Sequence, residues 1–149
     1  MHLVLYEPDI PQNCGALLRL CACLGLETDI IEPCGFLLND RRLKRAGMDY
    51  LAQARLTRHS SWRAYRESPR GRLVLLTTRA ELAYTSFCFD AGDHIMVGRE
   101  SAGVPDEVHQ AADASLCIPM EAGFRSLNVA QSAAMVLGEA LRQTGGFPS

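Results

Sequence analysis

The chain of 149 residues has the length and composition of one globular domain, residues 1–149. Hydrophobic residues make up 48% of it and charged residues 21%, which excludes an intrinsically disordered chain, because this apolar surface can offset the entropy lost on ordering. The formal net charge of -2 argues against a globally basic nucleic-acid-binding protein, although it allows a local basic patch.

Short apolar runs rich in Leu, Val and Ile predict the β-strands. They cover residues 2–6, 28–32, 72–77, 94–98 and 115–118. Runs that are apolar nearly throughout are typical of strands buried on both faces, as in a parallel sheet.

Helical patterns lie between these strands. They cover residues 13–24, 60–67 and 105–112, and a last helix carries Leu127, Ala130, Ala134, Leu137 and Leu141 at spacings of three and four. The alternation predicts an α/β fold with a mostly parallel sheet flanked by helices. Sheets of this kind bind ligands beyond the carboxyl ends of their strands.

The first notable segment after a strand spans residues 7–19. Its two prolines stop the strand, and Asn13 is a suitable N-cap for the following helix. The N-terminus of that helix would offer free N–H groups to an anion, with Arg19 further along. In the plainer interpretation Asn13 only caps the helix and Arg19 is a solvated surface charge.

Two more segments have a similar form. In residues 95–105 a buried strand runs into a loop in which Gly98 suits backbone contact with a flat ligand, and no dinucleotide or Lys-containing phosphate loop is present. In residues 118–132 a helix is expected to begin near Ser126, with Arg125 placed to hold a phosphate. The plainer alternatives are a tight turn in the former and a capping Ser126 in the latter.

The cysteines predict reduced, buried thiols in a cytoplasmic protein. None forms a CxxC pair, and each lies inside or beside an apolar run: Cys14, Cys21, Cys23, Cys34, Cys88 and Cys117. A zinc site is not expected, because the histidines are scattered along the sequence: His2, His59, His94 and His109. No leader peptide or membrane span is expected either.

Taken together, the three segments resemble the motifs of the SPOUT superfamily of S-adenosylmethionine-dependent RNA methyltransferases. The matching units are Asn13-x-Gly15-x-x-x-Arg19, Gly98-Arg99-Glu100 and Arg125-Ser126-Leu127-Asn128. Residues 5–8, 31–36, 42–50 and 139–143 are also similar to the small subfamily that 2′-O-methylates the wobble cytidine or uridine, nucleotide 34, of tRNA. The resemblance covers essentially the whole chain.

The resemblance implies a deep C-terminal trefoil knot, which is rare among proteins, and a methyl donor held there by three loops. It implies a homodimer whose partner subunit completes the site. The last helix suits that contact through Ala130, Ala133, Ala134 and Gly138. The expected RNA is tRNA, and neither a metal, nor DNA, nor a membrane is expected to bind.

Site residues follow from the resemblance position by position. The donor is assigned to Leu76, Thr77, Gly98, Ile118, Met120, Ser126 and Leu127. Catalysis and substrate positioning are assigned to Arg19, Asn13, Glu100, Arg125 and Asn128. Because a guanidinium is always protonated, Arg19 is expected to hold a phosphate and stabilise the developing alkoxide, while Glu100 or Glu7 accepts the proton.

A basic run is the expected grip on RNA phosphates. It consists of Arg41, Arg42, Lys44 and Arg45, and its alternative is a solvated helical face. Two departures concern the substrate: Gly138 stands where relatives commonly have Tyr, and Ala130-Gln131 replaces a commoner Ser-Asn.

Three other functions stay open at this point. The same fold could methylate another tRNA or ribosomal RNA 2′-hydroxyl. It could be a non-catalytic knotted RNA-binding module, which the intact set of polar motif residues disfavours. A small-molecule enzyme with a nucleotide cofactor is disfavoured by the missing phosphate-loop and dinucleotide signatures.

Overall fold

Parallel strands form one central sheet in the computed structural model, which describes residues 1–38, Arg45 and residues 54–149. The strands are β1 (His2–Tyr6), β2 (Glu27–Ile31), β3 (Arg55–His59), β4 (Leu73–Leu76), β5 (His94–Val97) and β6 (Ala114–Leu116). Their order across the sheet is β3-β2-β1-β5-β4-β6, with every neighbouring pair parallel. The predicted α/β fold with a parallel sheet is confirmed.

Four helices with defined bounds lie among the described residues, three of them between strands and one after β6. They are α1 (Pro11–Leu24), α2 (Trp62–Glu67), α3 (Asp106–Ala111) and α4 (Val129–Thr144), and a 3-10 turn covers Tyr84–Ser86. None of the helices in this part of the chain is long and apolar enough to cross a membrane.

The two longest helices begin at residues other than those expected. Asn13 is not the N-cap of α1, because Pro11 occupies the first helical position with Ile10 extended before it. Ser126 does not cap α4, because Asn128 does, accepting hydrogen bonds from the N–H groups of Ala130 and Gln131. The two motif asparagines, Asn13 and Asn128, thus both stand at a helix start, but only Asn128 is a cap.

Successive side chains of β1 point to opposite faces of the sheet and so belong to two different layers of the core. Leu3 and Leu5 pack on the side covered by α1 and α4, whereas Val4 and Tyr6 pack on the side covered by α2 and α3. Helices on both faces bury most residues of the apolar strands, which leaves the carboxyl edge of the sheet and its loops to carry a site.

The expectation of buried thiols is correct for only part of the cysteines. Cys14 and Cys21 are buried on the inner face of α1. Cys23 and Cys88 are exposed, so the prediction is wrong for these two, because Cys23 lies on the outer face of the helix and Cys88 in a surface loop. All six thiols are free.

Candidate active site

A cavity of about 450 Å³ opens at the carboxyl edge of the sheet. This volume is within the usual range for pockets that bind a small molecule or cofactor. It lies between the ends of β4 and β5, the segment after β6 and the start of α4. Strands β1 and β5 are neighbours, but the chain continues from β1 toward one edge of the sheet and from β5 toward the other. Ligands usually bind at such a switch point in these folds.

All of the side chains and glycines expected to hold the methyl donor line this cavity. They are Leu76, Thr77, Gly98, Ile118, Met120, Ser126 and Leu127. Sequence reasoning missed other lining residues, among them Ile10, Thr78, Val104 and Ser132. Ile10, Val104 and Ser132 fall inside the segments already singled out, so their place in those segments was the available signal.

Gly98 allows the loop after β5 to close on itself. A Cβ atom at this position would lie 2.7 Å from the Gly103 carbonyl carbon and 2.8 Å from its Cα atom. The loop is held by two backbone hydrogen bonds, from Arg99 N–H to Gly103 O at 3.1 Å and back from Gly103 N–H to Arg99 O at 2.8 Å. Only a glycine fits, and the resulting tight turn brings backbone atoms to the cavity wall.

Two amide side chains join α1 and α4 at the mouth of the cavity. Asn128 Nδ2 donates to Asn13 Oδ1 at 3.0 Å, while Asn128 Oδ1 caps α4. Both residues line the cavity. Asn128 is therefore fixed in one orientation, which places the Asn13 amide beside the open space.

Glu100 is the cavity-lining carboxyl group that the motifs indicated. Burial raises its pKa above the ordinary value, with a further increase from a hydrogen bond to the Asp9 carboxyl group, and a hydrogen bond from Asn13 opposes the shift. The pKa of Asp9 is lowered to about 2, chiefly by the hydrogen bond with Glu100. The structure thus places a proton-binding group beside Asn13 and the cavity.

Glu7, the alternative proton acceptor, is engaged elsewhere. Its Oε2 accepts from Arg99 NH1 at 3.3 Å, and Glu7 is not among the described residues that line the cavity. Of the two carboxylates considered from sequence, only Glu100 faces the space where substrate would bind.

Two of the three motif arginines, Arg19 and Arg125, lie outside the cavity lining, whereas Arg99 is part of it. Arg19 is on the exposed face of α1, one and a half turns beyond Asn13, and Arg125 is exposed in the loop before α4. Within the described residues, the structure therefore brings together Asn13, Glu100 and Asn128 but places neither of these two arginines in the wall.

The basic run falls almost wholly outside the described residues. Arg41, Arg42 and Lys44 lie outside them, whereas Arg45 is described, helical and exposed. Its exposure is compatible with both the RNA-binding and the solvated-face interpretation.

Three histidines that are distant in sequence meet on the face of the sheet that α2 covers. Asp29 accepts from both sides: its Oδ2 lies 2.7 Å from His2 Nδ1 and its Oδ1 2.7 Å from His59 Nε2. His94 Nδ1 is 3.0 Å from the Tyr65 hydroxyl.

The donor atoms of His2, Asp29 and His94 lie within 4.8 Å of one another, the reach of a metal centre. The His2 and His94 rings, however, are stacked, with centroids 4.0 Å apart and planes 10° from parallel. Because imidazole lone pairs lie in the ring plane, those of stacked rings run parallel and do not converge on one ion. The arrangement is a hydrogen-bonded network that buries a carboxylate between two imidazoles.

Comparison with known proteins identifies the family of the chain. Residues 1–138 match the SpoU rRNA methylase family. A tRNA (cytidine(34)-2'-O)-methyltransferase of Beijerinckia indica is 60% identical over 149 aligned residues, which cover 97% of this chain and 92% of the relative.

Solved structures share the fold over nearly the whole chain. One, described as giving insights into the 2-OH methylation of C/U34 on tRNA, has a TM-score of 0.90 at 43% identity and covers 95% of this chain and 94% of that one. The SpoU methyltransferase AviRb of Streptomyces viridochromogenes, in complex with AdoMet, has a TM-score of 0.82 at 24% identity and covers 96% of this chain and 60% of that one. The chain therefore belongs to the SpoU rRNA methylase family.

Proposed function

We propose that this protein transfers a methyl group from S-adenosylmethionine to the ribose 2′-hydroxyl of the wobble nucleotide, cytidine or uridine 34, in tRNA. The names of the relatives with high identity support this substrate. The observation that carries the proposal is the juxtaposition of a donor-sized cavity with a polar group made of Asn13, Asn128 and Glu100.

The cavity fits the proposed donor. Its floor is the loop that Gly98 closes, and its walls combine apolar side chains such as Leu76 and Ile118 with polar groups at Ser126. Apolar walls suit an adenine ring, and exposed backbone groups of a tight loop suit its polar edge. When bound, S-adenosylmethionine supplies an electrophilic methyl group on a positively charged sulfur, which becomes a neutral thioether after transfer.

Glu100 is the proton acceptor in this proposal. As the bond from the ribose 2′-oxygen to the methyl carbon forms and the methyl–sulfur bond breaks, the hydroxyl proton passes to the Glu100 carboxylate. A carboxyl group with a raised pKa is a stronger base than a solvated one, and alignment beside the donor supplies the rest of the rate. Asn13 and Asn128 would orient the ribose through their amides.

Arg19 and Arg125 would act on the RNA backbone rather than on the proton. Both are exposed, and a guanidinium can hold a phosphate in a bidentate contact. Arg19 would bind the phosphate that adjoins the reacting ribose and from there stabilise the developing alkoxide electrostatically.

A homodimer would bring further groups to the cavity. The outer face of α4 carries Ala134, Met135 and Gly138, with Met135 43% exposed, and Leu127 at the cavity mouth is 42% exposed. Ala133 faces inward and is fully buried, so it packs within its own chain and is not available to a partner. We propose that a second copy covers this small-residue face, which sedimentation of the purified protein would test.

The remaining parts of the proposal follow the family resemblance. The C-terminal trefoil knot, a reaction without metal and a cytoplasmic location are expected for such an enzyme. The basic run with Arg45 would grip tRNA phosphates. Its neutralisation should then flatten the dependence of tRNA affinity on salt concentration.

The decisive experiment maps ribose methylation in tRNA from cells with and without this protein by mass spectrometry. We expect wobble ribose methylation to disappear without the protein and to return with the wild-type gene but not with Glu100→Gln. Methylation lost instead from another tRNA or ribosomal RNA position would replace the proposed substrate and keep the reaction. Unchanged methylation everywhere would favour a non-catalytic RNA-binding protein.

A matched test in vitro uses synthetic tRNA with a 2′-deoxyribose at nucleotide 34. The purified protein and donor should methylate the all-ribose tRNA and leave the deoxy tRNA unmodified. Equal methylation of both would place the methyl group on a base or on another ribose.

A further inference from the structure

The segment after β1 and the loop after β5 are locked together by a reciprocal pair of hydrogen bonds. Asp9 N–H donates to Glu100 Oε2 at 3.1 Å, and Glu100 N–H donates to Asp9 Oδ1 at 3.1 Å. Each residue thus uses its backbone to hold the side chain of the other. The geometry fixes the Glu100 carboxyl group, which lines the cavity, against Asp9, which does not.

Other groups hold Asp9 in place on its remaining sides. The Ser101 hydroxyl donates to Asp9 Oδ2, and Arg99 Nε lies 3.7 Å from the same oxygen. Gly35 packs so closely that a Cβ atom there would lie 2.8 Å from Asp9 Cβ. Asp9 is consequently confined by two other segments of the chain, the loop after β5 and the segment around Gly35, although no motif drew attention to it.

We propose that Asp9 is a positioning residue for the proton acceptor: through this pair of hydrogen bonds it holds the Glu100 carboxyl group toward the cavity and shares a proton with it. The inference rests on the proposed function, in which Glu100 accepts the ribose proton. It assigns to Asp9 a role in the reaction without contact with substrate.

The charged and titratable groups around Glu100 favour a shared proton. Asp9 and Glu7 come from the segment after β1, Arg99 from the same loop as Glu100, and Cys14 from α1. Burial raises the pKa of the Cys14 thiol to about 12, so it stays neutral. The Arg99 guanidinium contacts both carboxylates, with NH1 next to Glu7 and Nε next to Asp9.

The pKa of Asp9 is lowered, with help from Ser101 and Arg99, and that of Glu100 is raised, so in this proposal Asp9 keeps its negative charge and Glu100 takes the shared proton. Two carboxyl groups in contact titrate as a pair, and the second deprotonation is made harder by the charge of the first. Glu100 therefore loses its proton only at the higher of the two pKa values of the pair. The charge on Asp9 thereby strengthens Glu100 as a base.

The test compares the pH dependence of kcat/KM in three variants, because this profile reports the free enzyme. In Asp9→Asn the neighbouring charge is gone, so the acid limb should move to lower pH by about one unit, and plateau kcat should fall about tenfold or more. In Ser101→Ala the Asp9 charge is less stabilised, so the limb should move to higher pH. Glu67→Gln, an exposed carboxylate on α2, should leave the profile unchanged.

Opposite shifts in the first two variants distinguish proton sharing from a structural role, which would lower activity without moving the limb. A limb that stays in place in Asp9→Asn, with the wild type active, overturns the inference and leaves the proposed function intact. An inactive wild type instead counts against the proposed function.

A second readout does not depend on activity. In protein labelled with ¹³C at glutamate carboxyl groups, the Glu100 resonance should titrate above the ordinary glutamate value of about 4.3 in the wild type and move toward it in Asp9→Asn. Identical titration in both proteins would contradict the shared proton.

Discussion

At the scale of single residues, Asn128 performs two tasks with one side chain. Its Oδ1 accepts from the N–H groups of Ala130 and Gln131 and so caps α4, while its Nδ2 donates to Asn13. An amide is the only side-chain group of this length that can do both, since a carboxylate has no donor. Stability and site geometry can therefore be separated by substitution at this position.

We predict that Asn128→Ala lowers the free energy of unfolding by about 1 kcal/mol, or a Tm shift of about 2–4 °C, because the cap is lost. Asn128→Asp keeps the acceptor and adds a favourable charge at the helix N-terminus, so its Tm should stay close to the wild-type value. Its kcat should nevertheless fall, because the donor to Asn13 is gone. Thermal denaturation and a methylation assay measure the two effects, and equal losses of Tm in both variants would contradict the assignment.

We predict that Arg19→Ala abolishes turnover and leaves donor affinity nearly intact, because Arg19 is exposed and outside the cavity lining. Isothermal titration calorimetry with S-adenosylmethionine gives the affinity, and methylation of tRNA gives the turnover. Gly98→Ala serves as the contrasting variant, since it should lose the affinity itself. Equal loss of donor affinity in Arg19→Ala would place this side chain in the donor site instead.

At the scale of elements, the tight loop after β5 decides whether the cavity can form. The Gly98 Cα atom faces the Gly103 backbone, and a methyl group there has to push it away. Gly138, in contrast, lies inside α4 with no atom within 4 Å of an added Cβ. The two glycines therefore make a matched pair for the same substitution.

We predict that Gly98→Ala costs about 1–3 kcal/mol of stability and eliminates donor binding, because the backbone of the loop must shift. Gly138→Ala should stabilise an isolated chain by about 0.5–1 kcal/mol through helix propensity. Urea denaturation and calorimetry compare them. Retained donor affinity in Gly98→Ala would show that the loop does not contact the donor.

The elements themselves were predictable where the pattern is local. Apolar runs gave each buried strand to within two residues, but β3 was missed because its sequence has Arg55 and Arg58 and it lies at the exposed edge of the sheet. The donor-site residues were available through the family motifs. The contact of Asp9 with Glu100 was not, because it joins residues 91 positions apart through backbone atoms.

At the scale of the whole molecule, a histidine network lies on the face of the sheet that α2 covers, and none of its members lines the cavity. His94 is buried there against Tyr65, and burial together with the nearby His2 lowers the pKa of His94 to about 4. An unfolded chain binds this proton near pH 6.5. Between these values the unfolded state binds more protons than the folded one, so stability is present above pH 6.5 and is lost as the pH falls toward 4.

We predict that the free energy of unfolding decreases by roughly 2–3 kcal/mol between pH 7 and pH 4.5 on account of His94 alone. The double variant Tyr65→Phe with His94→Phe removes both hydrogen-bonding partners, leaves no buried polar group unpaired and should lose this part of the pH dependence. Urea denaturation at several pH values measures it. The same slope in the double variant would show that other groups dominate acid unfolding.

The positions of the cavity residues along the chain determine when during synthesis the site can form. The cavity draws residues from Ile10 near the start of the chain to Ser132 within α4. A chain emerging from the ribosome therefore has β1, its first helix and its Gly98 loop long before it has a place for a methyl donor. A product truncated by a stop codon or protease before α4 keeps the first 128 of the 149 residues but lacks Val129 and Ser132 of the cavity wall, so its cavity is incomplete.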